Sequence, residues 1–140
     1  MKKLYLMRHG QTTADTQRQL SPMGIHQVEA AAHKLLQRAV KVDMIYHSGV
    51  LRAQQTAEII AQRLAVPTQY LDHLKADSDI DVVLATLEHW QQDVMLVSHL
   101  PFLVLLSQAL LPNAKLIEFD PATVACLEFQ TDQWQLMWEI

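Results

Sequence analysis

The stretch KLYLMRHG, residues 3–10, decides how the chain is read. Its four consecutive apolar residues show no alternation, which predicts a strand over residues 2 to 8 that is buried on both faces. The strand ends on Arg8 and His9, and Gly10 follows at once. Two further runs have the same form, VDMIYHS at 42–48 and VMLVSH at 94–99, and each ends with a histidine beside a serine. These segments predict three buried strands.

Segments with a helical period separate the predicted strands. In LSPMGIHQVEAAAHKLLQRA (20–39), Ser21 is placed to cap a helix that starts at Pro22. Ser48 is placed to cap VLRAQQTAEIIAQRLA (50–65), and Ser78 or Asp79 to cap DVVLATLEHW (81–90). A fourth helix is predicted in LPFLVLLSQALL (100–111). The apolar face of the first helix is predicted to consist of Ile25, Val28, Ala32, Leu35 and Leu36.

The tail changes character, because KLIEF (115–119), TVACLEF (123–129) and QWQLMWEI (133–140) read as three strands without helices between them. Even spacing places Trp134 and Trp138 on one face of the last strand. TQYLDHL (68–74) reads as a short edge strand. The whole pattern predicts one three-layer α/β domain over residues 1–140. Its central sheet is mostly parallel with helices on both faces, and antiparallel strands lie toward the C-terminus.

Composition excludes several classes of function. The chain has 140 residues, 50% of them hydrophobic, and a formal net charge of −4, so no overall field attracts nucleic acid or an anionic membrane. The N-terminal apolar run is too short for a signal sequence, and no run is long enough to span a membrane. A single cysteine, Cys126, fits a reducing compartment, so a cytoplasmic location is predicted. No histidine pair has metal-ligand spacing, and neither a metal nor a cofactor is predicted.

The polar ends of the predicted strands point to an anion site. Ligands of such sheets bind outside the carboxyl ends of parallel strands, where Arg8, His9, His47 and His99 fall and Arg52 opens the next helix. Only three glycines occur in the chain, and two of them, at positions 10 and 49, lie at these strand ends. Guanidinium groups, helix N-termini and closely approaching backbone together form phosphate sites.

Four motifs in this order, RHG, LSPMGIHQ, HSGVLRAQQTA and SHLP, resemble the histidine phosphatase superfamily, the phosphoglycerate-mutase-like group. The short chain and the SHLP form are most similar to the compact bacterial phosphohistidine phosphatases of the SixA type. The resemblance implies a phosphoglycerate-mutase-like fold, a nucleophile at His9, phosphate-binding arginines at Arg8 and Arg52, and His99 as phosphate ligand and proton carrier. Three polar side chains of the following loop are equally compatible with contacts to phosphate and with an ordinary polar loop: Gln11, Thr12 and Arg18.

The motifs lack a recognisable general acid, and this absence indicates the class of substrate. Relatives that cleave phosphate esters use a carboxylic acid to protonate the leaving oxygen, but Leu100 follows His99, and LDHLKADSDI (71–80) lacks the expected glycine-containing glutamate motif. Phosphohistidine on a signalling or phosphotransfer protein is therefore the favoured substrate, with inorganic phosphate as product. Asp72, Asp77 and Asp79 stay open as an unrecognised acid, in which case small phosphate esters are the substrates. A non-catalytic phosphate-binding module is the third reading.

Overall fold

The computed structural model describes residues 2–140 and has ten elements around one six-stranded sheet. The strand order is β3-β2-β4-β1-β5-β6. Strands β1 to β4 are parallel to one another, β5 is antiparallel to β1, and β6 is antiparallel to β5. This confirms the predicted α/β architecture with antiparallel strands at the C-terminal side. The elements are β1 (Lys2–Arg8), α1 (Pro22–Gln37), β2 (Met44–His47), α2 (Leu51–Leu64), β3 (Thr68–Tyr70), α3 (Ile80–His89), β4 (Val94–Ser98), α4 (Phe102–Leu110), β5 (Val124–Gln130) and β6 (Gln133–Glu139).

Two apolar cores lie on opposite faces of this sheet, because neighbouring side chains of each strand point to opposite sides. Tyr5 and Met7 of β1 pack with the buried faces of α1 and α2, whereas Leu4 and Leu6 pack with α3 and α4. All four side chains are buried. The continuous apolar run of β1 therefore reflects a strand covered by helices on both sides, as predicted.

The start of α1 follows the sequence prediction. The side chain of Ser21 accepts a hydrogen bond from the amide of Gly24, and Pro22 is the first helical residue. The predicted apolar face is wrong at its two ends, since Ile25 and Leu36 are 45% and 46% exposed. Ala31 takes part in the buried face instead, beside the three buried members of the predicted set.

The cap of α3 is Asp79, one of the two predicted candidates, and its carboxylate accepts from the amide of Asp81. The predicted cap of α2 is wrong. Val50 holds that position and no side chain caps the helix. The Ser48 hydroxyl lies two residues earlier, where it accepts from the amide of Val50 and contacts His99.

The tail contains two strands rather than three. KLIEF (115–119) forms no strand; Ile117 and Phe119 are buried in the α3–α4 core, so its apolar pattern reflects burial without strand pairing. The predicted common face of Trp134 and Trp138 is also wrong. A β-bulge between β5 and β6 shifts the register after Leu136, which pairs with Leu127, and sends the two tryptophans to opposite cores.

None of the helices within residues 2–140 is long and apolar enough to cross a bilayer.

Candidate active site

The strand register brings three polar strand ends together. Arg8 lies opposite Ser98 across β1 and β4, and His47 lies opposite Val97 across β2 and β4. The next residue of each strand consequently falls at one point of the carboxyl edge: His9, His99 and Ser48. The ring centroids of His9 and His99 are 5.1 Å apart, and the Ser48 Oγ lies 2.7 Å from Nε2 of His99.

Hydrogen bonds hold both the backbone and the ring of His9 in place. The backbone amide of His9 donates to the carbonyl of Ser98, and its carbonyl accepts from the amide of Ala122. Nδ1 lies 2.7 Å from the carbonyl oxygen of Gly10. Since a carbonyl only accepts, Nδ1 carries the proton, and the unprotonated nitrogen of the neutral ring is Nε2. His9 is thus arranged with a free nucleophilic nitrogen.

The surroundings also favour the neutral form of His9. Burial, together with the positive charges of Arg52, Arg8 and Arg18, lowers the pKa of His9 from its usual 6.5 to about 4, against the opposing effect of the Gly10 hydrogen bond. Burial is the largest of these causes. At neutral pH the ring is therefore uncharged rather than an imidazolium.

The two predicted phosphate-binding arginines flank this ring without neutralising partners. Arg8 donates through Nη1 to the carbonyl of Phe119 at 2.8 Å, and the buried Nε atoms of Arg8 and Arg52 have no hydrogen-bond partner within residues 2–140. In the same range no carboxylate lies within ion-pair distance of either guanidinium. Asp120, an exposed residue of the neighbouring loop, forms no ion pair with Arg8, but its negative charge partly offsets the lowering of the Arg8 pKa by burial. Unpaired guanidinium groups of this kind can clamp a dianion.

Arg52 reaches the site from the first turn of α2, where the helix dipole disfavours a cation and favours an anion. Thr56 connects this turn to the segment that contains His9 and Gly10. Its fully buried hydroxyl accepts from the amide of Gly10 at 3.2 Å and donates to the carbonyl of Arg52 at 2.9 Å. No local pattern indicates this bridge beyond the position of Thr56 one helical turn after Arg52.

His99 is 2% exposed, and its Nδ1 has no hydrogen-bond partner among residues 2–140. Burial and the nearby charges, of which those of His9 and Arg52 are the largest, lower the pKa of His99 to about 3. His99 is therefore neutral at pH 7, like His9. From the sequence, its partner Ser48 is expected only to cap α2, and the contact with His99 is a feature of the folded sheet.

The remaining predicted ligands come from the loop between β1 and α1. Arg18 is exposed, and its charge acts on both histidines and on Arg52. Its backbone has φ of 47° and its amide donates to Asp15. Gln11 and Thr12 contribute backbone contacts: the Gln11 carbonyl accepts from the amide of Ser21, and Thr12 forms a bridge with Leu20. Only Arg18 of this group acts electrostatically on the histidines.

The aspartates weighed as a general acid are engaged elsewhere or exposed. Asp72 accepts from the Tyr70 hydroxyl and from the amide of His73, and Asp79 caps α3. Asp77 is exposed.

His47 is buried, and its Nδ1 accepts from the amide of Gly49, so it stabilises the turn between β2 and α2. Within residues 2–140, no group of three or more histidine, cysteine or acidic side chains is arranged to hold a metal ion.

A neutral histidine beside unpaired guanidinium groups, at the carboxyl ends of parallel strands, is the arrangement of an α/β phosphatase that works through histidine. The chain belongs to the histidine phosphatase superfamily (branch 1), whose sequence model matches residues 4–76. The predicted family is thereby confirmed.

Relatives within this family have similar length and fold. Phosphohistidine phosphatase SixA of Escherichia coli (strain K12) is 26% identical over 149 aligned residues, covering 96% of this chain and 92% of that protein. The structure of the protein histidine phosphatase SixA complexed with tungstate superposes with a TM-score of 0.89 at 25% identity, covering 99% of this chain and 96% of that one. The putative phosphohistidine phosphatase SixA from Agrobacterium tumefaciens has the same fold, with a TM-score of 0.82 at 22% identity over 99% and 96% of the two chains.

Proposed function

We propose that this chain is a phosphohistidine phosphatase in which His9 carries the phosphoryl group as a covalent intermediate. The observation that supports this most directly is the hydrogen bond from Nδ1 of His9 to the carbonyl of Gly10, 2.7 Å long, in a ring whose pKa is about 4. A pocket that only bound phosphate has no need of a histidine held neutral with Nε2 free. The non-catalytic reading is therefore the weaker one.

In the first step the lone pair of His9 Nε2 attacks phosphorus, and the bond from phosphorus to the substrate's ring nitrogen breaks. The bonding electrons go to that nitrogen, and the substrate imidazole leaves as a neutral ring when its other nitrogen already carries a proton. In the second step water attacks phosphorus, the bond to Nε2 breaks, and inorganic phosphate forms with the protons of that water. Nδ1 keeps its proton throughout, hydrogen-bonded to the carbonyl of Gly10, so His9 also leaves as a neutral imidazole.

Arg8 and Arg52 stabilise the charge on the equatorial phosphoryl oxygens during both steps, which is the main source of catalysis in such transfers. His99 is proposed as a further phosphate ligand. Since guanidinium groups supply the positive charge, we expect the reaction to need no metal, and activity should survive treatment with EDTA.

The leaving group favours phosphohistidine over a phosphate ester. A positioned general acid accelerates the departure of an alkoxide by roughly 100- to 10,000-fold. Asp72 and Asp79 have other hydrogen-bond partners, and the pocket histidines are neutral. A protonated phosphohistidine ring needs no such acid. Similarity to SixA of Escherichia coli supports the same substrate class at 26% identity, and the short loop between Gly10 and Ser21 suits a side chain presented by another protein. We place this activity in the cytoplasm, where Cys126 stays reduced.

Trapping the intermediate tests the nucleophile. The enzyme is mixed with a ³²P-labelled phosphohistidine protein, quenched in alkali, and probed for label that is stable in base and lost in acid. We expect label on the wild type and on His26→Ala, whose side chain is exposed on α1, and none on His9→Ala. Absence of label from the wild type during measurable turnover contradicts the proposed intermediate, and absence of both label and turnover favours the binding module.

A substrate panel tests the leaving group. We expect kcat/KM for a phosphohistidine protein to exceed that for a sugar phosphate by more than 100-fold, with p-nitrophenyl phosphate between them because its leaving group needs little protonation. A preference for the sugar phosphate contradicts the proposed substrate. In that case Asp120→Asn tests whether the exposed carboxylate near Arg8 acts as the acid.

A further inference from the structure

Ser48 is a buried residue whose hydroxyl has two hydrogen-bond partners among residues 2–140. It is 1% exposed, its Oγ accepts from the amide of Val50 at 3.3 Å, and Nε2 of His99 lies 2.7 Å from it. The two residues come from different strands, β2 and β4, so this contact exists only in the folded sheet. Nothing in the phosphoryl-transfer steps described above uses Ser48.

The protons of this contact can be assigned by counting donors and acceptors. A serine hydroxyl has one proton to donate, and within residues 2–140 the only acceptor in reach of Ser48 is Nε2 of His99. If Nε2 carried the proton instead, both the buried hydroxyl proton and the lone pair of Nδ1 would lack a partner within residues 2–140, whereas a proton on Nδ1 leaves only that one donor unmatched. Each unmatched buried polar group is unfavourable, so the second arrangement costs less. The neutral ring of His99 therefore accepts at Nε2 and carries its proton on Nδ1.

The electrostatics of the pocket favour the same assignment. Nδ1 of His99 is buried and has no hydrogen-bond partner within residues 2–140, and the ring centroids of His99 and His9 are 5.1 Å apart with the planes tilted by 55°. A proton on Nδ1 gives a phosphoryl oxygen a hydrogen-bond donor, whereas a lone pair there repels it. We propose that Ser48 is a positioning residue that fixes the Nδ1–H tautomer of His99, so that His99 acts as a neutral hydrogen-bond donor to the transferring phosphoryl group rather than as a base. The catalytic part of this inference rests on the function proposed above.

The tautomer can be read directly by ¹⁵N NMR of the resting protein, without any activity. Long-range ¹H–¹⁵N spectra at pH 7.5 separate the seven histidines, and the His99 pattern is the one missing from His99→Asn. We expect the Nδ1–H pattern for the wild type and for Ser48→Thr, which keeps the hydroxyl. Ser48→Ala should show a mixture of tautomers or mainly Nε2–H. Inorganic phosphate should shift the Nδ1 proton of the wild type downfield.

Kinetics test whether the tautomer matters. With a phosphohistidine protein, Ser48→Ala should lower kcat by roughly 3- to 10-fold, the effect of one hydrogen bond, and Ser48→Thr should restore most of it. The matched control is Ser98→Ala, because Ser98 is equally buried and adjacent to His99, but its hydroxyl donates to the carbonyl of Leu74. We expect this control to lose thermal stability while its His99 keeps the Nδ1–H pattern.

Two results overturn the inference: an Nε2–H pattern in the wild type, or an unchanged Nδ1–H pattern in Ser48→Ala. A tautomer shift in Ser48→Ala with unchanged kcat refutes the catalytic role of the tautomer. Failure of the proposed function is distinguishable, because the wild type then shows the Nδ1–H pattern yet turns over no phosphohistidine protein.

Discussion

Replacing Arg52 by glutamine tests the electrostatic basis of the pocket. Arg52 projects from the first turn of α2, its buried Nε has no partner, and no carboxylate within residues 2–140 forms an ion pair with it. Its charge is therefore free for a ligand. Arg52→Gln keeps a similar length and polarity but removes the charge and the bidentate donor geometry.

The expected loss can be worked from the bonds that disappear. A hydrogen bond to a charged group contributes about 1.5–3 kcal/mol, and we take the guanidinium's two bonds to a dianion together as about 3 kcal/mol. That corresponds to a roughly 150-fold weaker affinity for vanadate or inorganic phosphate. Arg52→Lys, which retains a point charge with poorer geometry, should lose roughly 10-fold. Arg52 also contributes the largest charge effect on His9, so the pKa of His9 should rise in Arg52→Gln.

Inhibition constants for vanadate and phosphate are measured at fixed ionic strength, and the His9 titration is followed by NMR. The control is Arg63→Gln on the same helix, because Arg63 forms an exposed ion pair with Glu29 that should be worth only a few tenths of a kcal/mol. We expect less than a twofold change for this variant. If Arg52→Gln binds both anions within threefold of the wild type while remaining folded, the guanidinium does not clamp the phosphoryl group and the reasoning fails.

Three further predictions concern the ring of His9, the hydrogen bond between Thr56 and Gly10, and the packing of Gly24 against Gln11. First, because the pKa of His9 is lowered from 6.5 to about 4, the neutral nucleophile should persist to about pH 4; in pH profiles of kcat/KM on the free enzyme, a limb near 6.5 assigned to His9 refutes this. As pH falls, the unfolded chain takes up this proton before the folded chain does. The free energy of unfolding should therefore be unaffected by His9 above about pH 6.5 and should fall by up to about 1.4 kcal/mol per pH unit between 6.5 and 4, which denaturant titrations at several pH values measure. Second, Thr56→Val leaves the amide of Gly10 unpaired and should lower the free energy of unfolding by about 1–3 kcal/mol; an unchanged denaturation midpoint argues against the bridge. Third, Gly24→Ala should destabilise by about 1–3 kcal/mol although alanine is the better helix former, because the added Cβ falls 2.0 Å from the carbonyl oxygen of Gln11; stabilisation on thermal unfolding contradicts the close packing.

Local patterns in the sequence were sufficient for much of the fold. The continuous apolar runs LYLM and VMLV identified buried strands, and Ser21 with Pro22 located the start of α1, since both signals depend only on near neighbours. The resemblance carried by the RHG, LRAQQTA and SHLP motifs then implied roles for Arg8, His9, Arg52 and His99, which the fold brings to the same edge of the sheet. The errors have non-local causes: KLIEF is apolar because it is buried, and a bulge between β5 and β6 separates Trp134 from Trp138.

By itself the sequence determined where the strands end and which polar side chains end them, because secondary structure and its boundaries follow from short-range patterns. Only the tertiary structure decided which of these ends meet. The order β2-β4-β1 sets Ser48, His99 and His9 side by side, turning an expected helix cap into the partner of a pocket histidine. The same assembly buries both rings among unpaired arginines and so lowers their pKa values. Strand order and burial are properties of contacts between distant residues, and no local pattern encodes them.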